Sequence, residues 1–494
     1  MVLKVSFEPS IPRPRLNKIS ESEWELPSSH KVGMKVPVRL IATEKLLQEM
    51  DAEVFEQASN VATLPGIQRY SYVMPDGHWG YGFPIGGVAA TDVNSEGVIS
   101  PGGIGFDVNC GMRVILTNLT FAEVKPRIKE LVDGLFEQIP TGVGGQGFVR
   151  LSKEEFKHVL EEGAHWSIRN GYGWKEDLER TELNGLADWA DASKVSSKAI
   201  ERGFDQIGTL GSGNHYLEIQ WVKPENVKDE RLAKKWGIFP DQVVIMMHTG
   251  SRGEGHQIAT DYLQLFLSVM ERKYGISVPD RQLACAPFFS QEGQDYWKAM
   301  ACAVNFSFAN RQTIVHRVRE VFSKVFKADA EKLGMQQLFE IAHNRATLEK
   351  HGVDGSTREV LVHRKGATAA YYAGRSEIPQ VFRADGSPVI IGGSMETGSY
   401  LLVADTRSSE TFCSTAHGSG RTMSRAKAKR IWRGEVLLRE MAERGIYVRA
   451  RGLGGVAEEA GGSYKDIDEV VLATQLAGIS KPVVRLIPVG NIKG

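Results

Sequence analysis

Cysteine is scarce in this 494-residue sequence: there are four, Cys110, Cys285, Cys302 and Cys413, and no CxxC pair. So few thiols in so long a chain exclude a disulfide-built scaffold and a zinc ribbon, and a reducing cytoplasm is the expected compartment. Charge of one sign is lacking too. The 60 basic and 60 acidic residues cancel, so any polyanionic partner must meet a local patch. Long apolar runs are absent: no stretch approaches the roughly 18 residues of a membrane helix. Prolines interrupt the opening MVLKVSFEPSIPRPRL before a signal-peptide core can form. The sequence therefore predicts a soluble, unexported protein with no membrane partner. The phosphate loop GxxxxGKS/T and the zinc-protease motif HExxH are missing, as are repeats and low-complexity tracts.

What is present begins with glycine, 52 residues in short runs such as Gly211-Ser212-Gly213, which implies many tight turns or close ligand approaches. Residues 1–35 are polar and proline-bearing and read as a loose arm before residues 36–494, whose length alone leaves one large domain or two lobes open. Apolar periodicity predicts helices near 43–60, 256–273, 293–326 and 425–445, with a helical region over 122–205 that Gly142–Gly147 interrupts. Strands and turns are expected over 61–120 and 340–420, at Val243–Met247, and through the C-terminus. Helices and strands mix without steady alternation. The fold class is therefore α+β, a mixed β-sheet core flanked by helices.

Five histidines follow strand-like runs or sit in glycine-rich turns: His78 in PDGHWGYG, His215 in GTLGSGNHYLEI, His248 in VVIMMHTGSRG, His343 in IAHNRA and His417 in STAHGSGR. A single histidine of this kind is more often a hydrogen-bonded core residue than a ligand; five in similar surroundings argue for a site. Asp107 and Cys110, in GGIGFDVNCGMR, add a carboxylate and a thiol three residues apart. Thiolate softness alone favours zinc. Asp107, Cys110, His215, His248 and His343 exceed the needs of one closed tetrahedral site, which points to two metals sharing the thiolate and to phosphoryl chemistry. Basic residues from Arg421 to Arg433, with His363-Arg364-Lys365 and Arg252, suit an anionic substrate.

In this order, PDGHWGYGFPIG, SPGGIGFDVNCGMR, GTLGSGNHYLEI, HTGSRG, AHNRA, VHRKGAT, STAHGSGR, GGSYKDIDEV and NIKG resemble the RtcB family of RNA ligases, and the likeness runs from about residue 35 to the C-terminus. The resemblance implies an RtcB-like fold in one large domain over 36–494 and two Mn²⁺ ions on Asp107, Cys110, His215, His248 and His343. It makes His417 the nucleophile toward GTP. RNA 3′-phosphate or 2′,3′-cyclic phosphate ends would then be joined to 5′-hydroxyl ends through a guanylyl-histidine, in tRNA splicing or RNA repair, with an archease-type activator as a further partner. It also implies guanylate contacts from Asn214, Tyr216, Glu218, Ser394, Ser399, Arg421, Tyr464 and Lys493, and RNA or phosphate contacts from Arg252, Lys365 and Arg425. One segment departs from the family pattern. Where PGSMGT is expected the chain reads Gly392-Gly393-Ser394-Met395-Glu396-Thr397, which loosens the loop and brings a carboxylate near the nucleotide.

Two other functions compete: a two-metal phosphodiesterase that acts on RNA ends without covalent guanylylation, and an RNA-binding scaffold whose histidines hold a structural metal. A lysine-nucleophile ligase is excluded, because Arg383-Ala384-Asp385-Gly386 carries arginine where KxDG needs lysine.

Overall fold

A computed structural model describes residues 12–494. Two large mixed sheets dominate. The first has seven strands in the order Asn17–Lys18, Glu23–Leu26, Val38–Ile41, Ser71–His78, Ile85–Asp92, Ser356–Lys365 and Asn344–Val353. The second runs Gln337–Ala342, Gly111–Ile115, Val243–Thr249, Tyr216–Trp221, Ser480–Lys493, Ser399–Ala404 and Pro388–Ile391, with Tyr447–Ala450 added beside the long C-terminal strand. Val243–Thr249 is buried along its whole length, which is why its sequence VVIMMHT is a continuous apolar run with no alternation.

The longest helix, Gln291–Phe326, starts where the Ser290 hydroxyl accepts from Gly293 N–H and stops at Lys327 in the left-handed region. Its middle is buried all round, so its polar residues must find partners inside the protein. Asn310 does so by accepting from the N–H groups of Gly208 and Thr209 at 2.8 and 3.0 Å, which fixes the loop that leads to His215.

The α+β class, the mixed sheets and the single large domain agree with the sequence reading; several local expectations do not. The polar segment before residue 36 is no loose arm over its described part, because Glu23–Leu26 pairs with Val38–Ile41 and buries Leu26. The helix near 43–60 is two, Glu44–Glu49 and Ala52–Val61, separated by extended Met50 and Asp51. Likewise 425–445 divides into Arg425–Ile431 and Gly434–Glu443 at extended Trp432 and Arg433. The C-terminal region holds helices Leu453–Glu458 and Ile467–Leu476 as well as strands, the second started by the Asp466 carboxylate accepting from Asp468 N–H.

Candidate active site

Four neighbouring antiparallel strands of the second sheet bring their sequence-distant ends to one edge. Gly111 lies opposite both Ala342 and Thr249, and His248 lies opposite both Met112 and Tyr216. The residues just before Gly111 and Tyr216, just after Ala342, and at position 248 therefore converge. They are Cys110, His215, His343 and His248. Antiparallel pairing alone explains why residues more than 200 positions apart meet.

The turn before Cys110 is held tightly. Asn109 adopts a left-handed conformation, which asparagine tolerates, and its carbonyl accepts from Arg311 Nη1 at 2.9 Å and Ser307 Oγ at 2.8 Å. Asp107 Oδ1 accepts from Ser251 N–H at 3.0 Å. A Cβ on Gly250 would lie 2.3 Å from that same oxygen, so the glycine of HTGSRG is needed where the backbone passes the carboxylate.

The ligand atoms form two overlapping trios, Asp107–Cys110–His215 and Cys110–His248–His343, each with its atoms within 4.8 Å of one another. His215 Nδ1 sits 3.0 Å from the Leu210 carbonyl and His248 Nδ1 3.1 Å from the Asn214 carbonyl. A carbonyl can only accept, so each Nδ1 carries a proton and each Nε2 is the ring nitrogen turned toward the cluster. His215 Nε2 faces Asp107 Oδ2 at 2.8 Å, and His248 Nε2 faces Cys110 Sγ at 3.1 Å and His343 Nε2 at 3.2 Å. Burial, reinforced by neighbouring histidines, pushes His248 and His343 well below the ordinary imidazole range, keeping them neutral. Burial and the Asp107 charge push the Cys110 thiol up. Burial alone would raise Asp107, but His215 and Arg252 outweigh it and hold the carboxyl low. One thiol proton cannot serve so many converging acceptors, so Asp107, Cys110, His215, His248 and His343 are a donor set that could hold metal cations.

His417 stands at the inner side of this cluster, its ring 4.7 Å from that of His343. Asp76 orients it. The carboxylate oxygen Oδ2 accepts from His417 Nδ1 at 2.5 Å and from the backbone N–H groups of His417 and Gly418 at 3.1 and 3.2 Å. With Nδ1 engaged by the carboxylate, Nε2 is the ring nitrogen left available for other chemistry. Asp76 escaped the sequence reading although it lies in the quoted PDGH, where attention went to His78. His78 lines the cavity but bonds only its own segment, at 2.9 Å from the Asp76 carbonyl, and burial lowers it to about 3.

A cavity of about 650 Å³ opens over the cluster. Asn214, Tyr216, Glu218 and Ser394 line it, as do Arg421, Tyr464 and Lys493 among the expected guanylate contacts, and Lys365 and Arg425 among the expected RNA contacts. Three expected residues lie behind the wall instead. Ser399 is buried, its Oγ accepting from Gln220 Nε2 at 3.3 Å; His215 stands behind Asp107; and Arg252 packs beneath His215, with Nη1 3.4 Å from the ring. Lys365 is drawn inward by the Tyr81 and Gly102 carbonyls, and burial lowers it to about 7.

The basic side of the cavity is organised by Glu459, which the sequence reading passed over because no motif surrounds it. This carboxylate receives Arg421 Nη1 at 3.2 Å, Arg425 Nε at 3.4 Å, the Tyr464 hydroxyl and, at 3.6 Å, Lys493 Nζ. The departing loop is equally well held. A Cβ on Gly392 would lie 2.7 Å from the Tyr216 hydroxyl, so glycine there matches tyrosine at 216. Gly392 N–H also donates to the His417 carbonyl at 3.1 Å, bracing that residue's backbone. Glu396, expected as a charge near the nucleotide, is bound instead by Arg444 Nη2 at 2.6 Å and Gly461 N–H at 2.7 Å.

This geometry now has comparisons to stand beside. A family model described as tRNA-splicing ligase RtcB matches residues 57–494. The chain belongs to the RtcB family. It is 53% identical to the tRNA-splicing ligase RtcB of Thermococcus kodakarensis over 97% of this chain and 99% of the relative, and 52% identical to that of Archaeoglobus fulgidus with the same coverage. The RNA-splicing ligase RtcB of Mycobacterium tuberculosis is 48% identical over 89% of this chain and all of its own length. Among the described residues no helix is long and apolar enough to cross a membrane.

Proposed function

We propose that the protein is a GTP-dependent RNA ligase that joins RNA 3′-phosphate or 2′,3′-cyclic phosphate ends to 5′-hydroxyl ends in tRNA splicing or repair, with His417 as covalent guanylyl carrier. The observation that carries this reading is the Asp76–His417 pair beside His343. Membership of the RtcB family supports it. A phosphodiesterase working through cations alone has no use for an imidazole oriented by a buried carboxylate, and a scaffold has no use for a free Nε2.

Asp107, Cys110, His215, His248 and His343 would hold a pair of Mn²⁺ ions, which when bound supply charge neutralisation to phosphate oxygens. His417 Nε2 attacks the α-phosphorus of GTP, the bond to pyrophosphate breaks, and the Asp76 carboxylate stabilises the charge gained by the ring. An oxygen of the RNA 3′-phosphate then displaces neutral His417 from phosphorus. Finally the 5′-hydroxyl loses its proton and attacks the 3′-phosphorus, and GMP leaves. Glu218 accepts from guanine N1 and N2 and Lys493 donates to O6, the pattern that separates guanine from adenine. Arg421, Tyr464, Asn214 and Ser394 surround the nucleotide, and Arg425 meets the RNA backbone. The four cysteines are free and buried, which suits a reducing cytoplasm, where Cys110 stays available as a ligand.

The test is direct. Purified protein with GTP, Mn²⁺ and an RNA bearing 3′-phosphate and 5′-hydroxyl ends should yield joined product and, with α-labelled GTP, an acid-labile protein adduct. Joining without adduct, or hydrolysis of cyclic ends alone, would return the phosphodiesterase reading.

A further inference from the structure

The cavity wall opposite the basic side is aromatic, and neither the metal trios nor the proposed guanylate contacts use it. Tyr81 and Phe106 line it edge to face, with ring centroids 5.2 Å apart. Phe106 continues outward into a stack with His256, 5.1 Å away and only 19° from parallel. His256 belongs to the helix Arg252–Tyr274 and is exposed. On the cavity lip Trp79 is 64% exposed.

An exposed indole on a mobile loop would mean little, but this loop is pinned. Gln57 Nε2 donates to the Gly80 carbonyl at 2.8 Å, and Gly80 N–H returns a bond to Gln57 Oε1 at 3.0 Å. Gly82 N–H donates to Gln282 Oε1 at 2.8 Å, and Lys365 Nζ holds the Tyr81 carbonyl. The backbone that carries a large exposed ring is thus fixed beside a cavity, and a second ring, His256, is exposed nearby on the Phe106 stack. Aromatic faces presented without hydrogen-bonding partners suit flat, unpaired bases of any sequence, which is what a ligase of varied ends must accept.

We infer that Trp79 and the Phe106–His256 stack form a platform on which an unpaired terminal base of the RNA strand stacks, adjacent to Asp107 and outside the guanylate pocket. The inference rests on the ligase reading. Phe106 directly precedes Asp107 in the chain, so a base stacked there brings its sugar and terminal oxygen toward the ligand cluster. A backbone already pinned lowers the ordering cost of that placement at the moment of binding.

The experiment compares wild type, Trp79→Ala, Trp79→Phe and His256→Ala. RNA binding is followed by fluorescence anisotropy, using 3′-phosphate and 5′-hydroxyl strands whose terminal nucleotide is intact or abasic. Labelling of His417 by GTP should be unchanged in every variant, since it needs no RNA. Trp79→Ala or His256→Ala should raise the Kd for at least one intact strand about tenfold, Trp79→Phe should keep most of the affinity, and an abasic end should cost wild type the same factor yet cost the affected variant little more. Loss in neither alanine variant, or a full abasic penalty persisting in the affected one, overturns the platform while wild-type joining stands. Wild-type protein that neither binds nor joins RNA overturns the platform and the ligase reading together.

Discussion

Two buried polar clusters lie back to back in this protein and obey opposite rules. Beneath the second sheet, Glu340 accepts from Arg113 and, at 2.7 Å, from Arg311, while Asp177 accepts from both terminal nitrogens of Arg319 at 2.7 Å and from Gln312 Nε2 at 2.7 Å. Opposite charges interleave there, each carboxylate paired with arginine inside the protein. At the sheet edge the pattern inverts, with imidazole nitrogens, a thiol and a carboxylate converging on one another. Burial alone does not mark a site; unmatched acceptors do. The clusters are also joined, because Arg311 Nη1 donates to the carbonyls of Asn109 and Thr249, the neighbours of Cys110 and His248.

The comparison breaks most visibly at His417. His417→Ala should reduce guanylylation by on the order of 10⁴-fold or more while leaving metal content and thermal stability close to wild type. Asp76→Asn tests the carboxylate charge separately. The amide oxygen can still accept from Nδ1 and from the two backbone N–H groups, but it carries no charge to stabilise the ring as it becomes cationic, so guanylylation should fall on the order of 10²-fold. Adduct formation by His417→Ala would remove the residue from the chemistry.

Cys110→Ser comes next. A hydroxyl is a poor bridging ligand, so metal affinity and joining should fall together by more than about 100-fold, measured by metal analysis after dialysis and by RNA ligation. Stability of the metal-free protein should change by less than about 1 kcal/mol, because no ion pair of the lower cluster is touched.

Glu340→Ala inverts both readouts. Stranding two buried guanidinium groups should cost about 3–5 kcal/mol in denaturant unfolding, with nucleotide preference unaltered in whatever protein remains folded. A stable Glu340→Ala variant would erase the distinction between the clusters.

How much of this was legible in the sequence follows from range. The five converging side chains were visible as candidates because each sits in a short segment at a strand end, where local composition advertises a turn. Asp76 and Glu459 were not, since a carboxylate's role depends on which distant histidine or arginine the fold brings to it. Ser399 and Arg252 were read as facing the ligand because segment position is visible and side-chain direction is not. The split at Met50-Asp51 was missed for a similar reason: apolar periodicity continues across it, while the break is a backbone event.

The smallest expected effect concerns Glu218, which lies between the two rules. It is buried like the lower cluster and accepts from Gln220 and Asn491, yet it also lines the cavity and is the proposed guanine reader. Burial lifts its carboxyl to about 7, against the lowering influence of Gln220, Lys493 and Asn491. A raised carboxyl works against folding as pH climbs: the unfolded chain releases this proton near the ordinary glutamate value of 4.5 and the folded protein only near 7. Stability is therefore lost progressively across that window and levels off above it. Glu218→Gln removes the titration, so its melting temperature relative to wild type should rise from pH 5 to pH 7 and then stay constant. Ligand binding should show the opposite sign. Only the carboxylate accepts from guanine N1 and N2, so wild-type affinity for GTP, relative to that of Glu218→Gln, should increase about tenfold between pH 6 and pH 8. Isothermal titration at both values measures it. A wild-type to Glu218→Gln ratio independent of pH would mean that guanine is read by another group, and that Glu218 belongs with the structural carboxylates beneath the sheet.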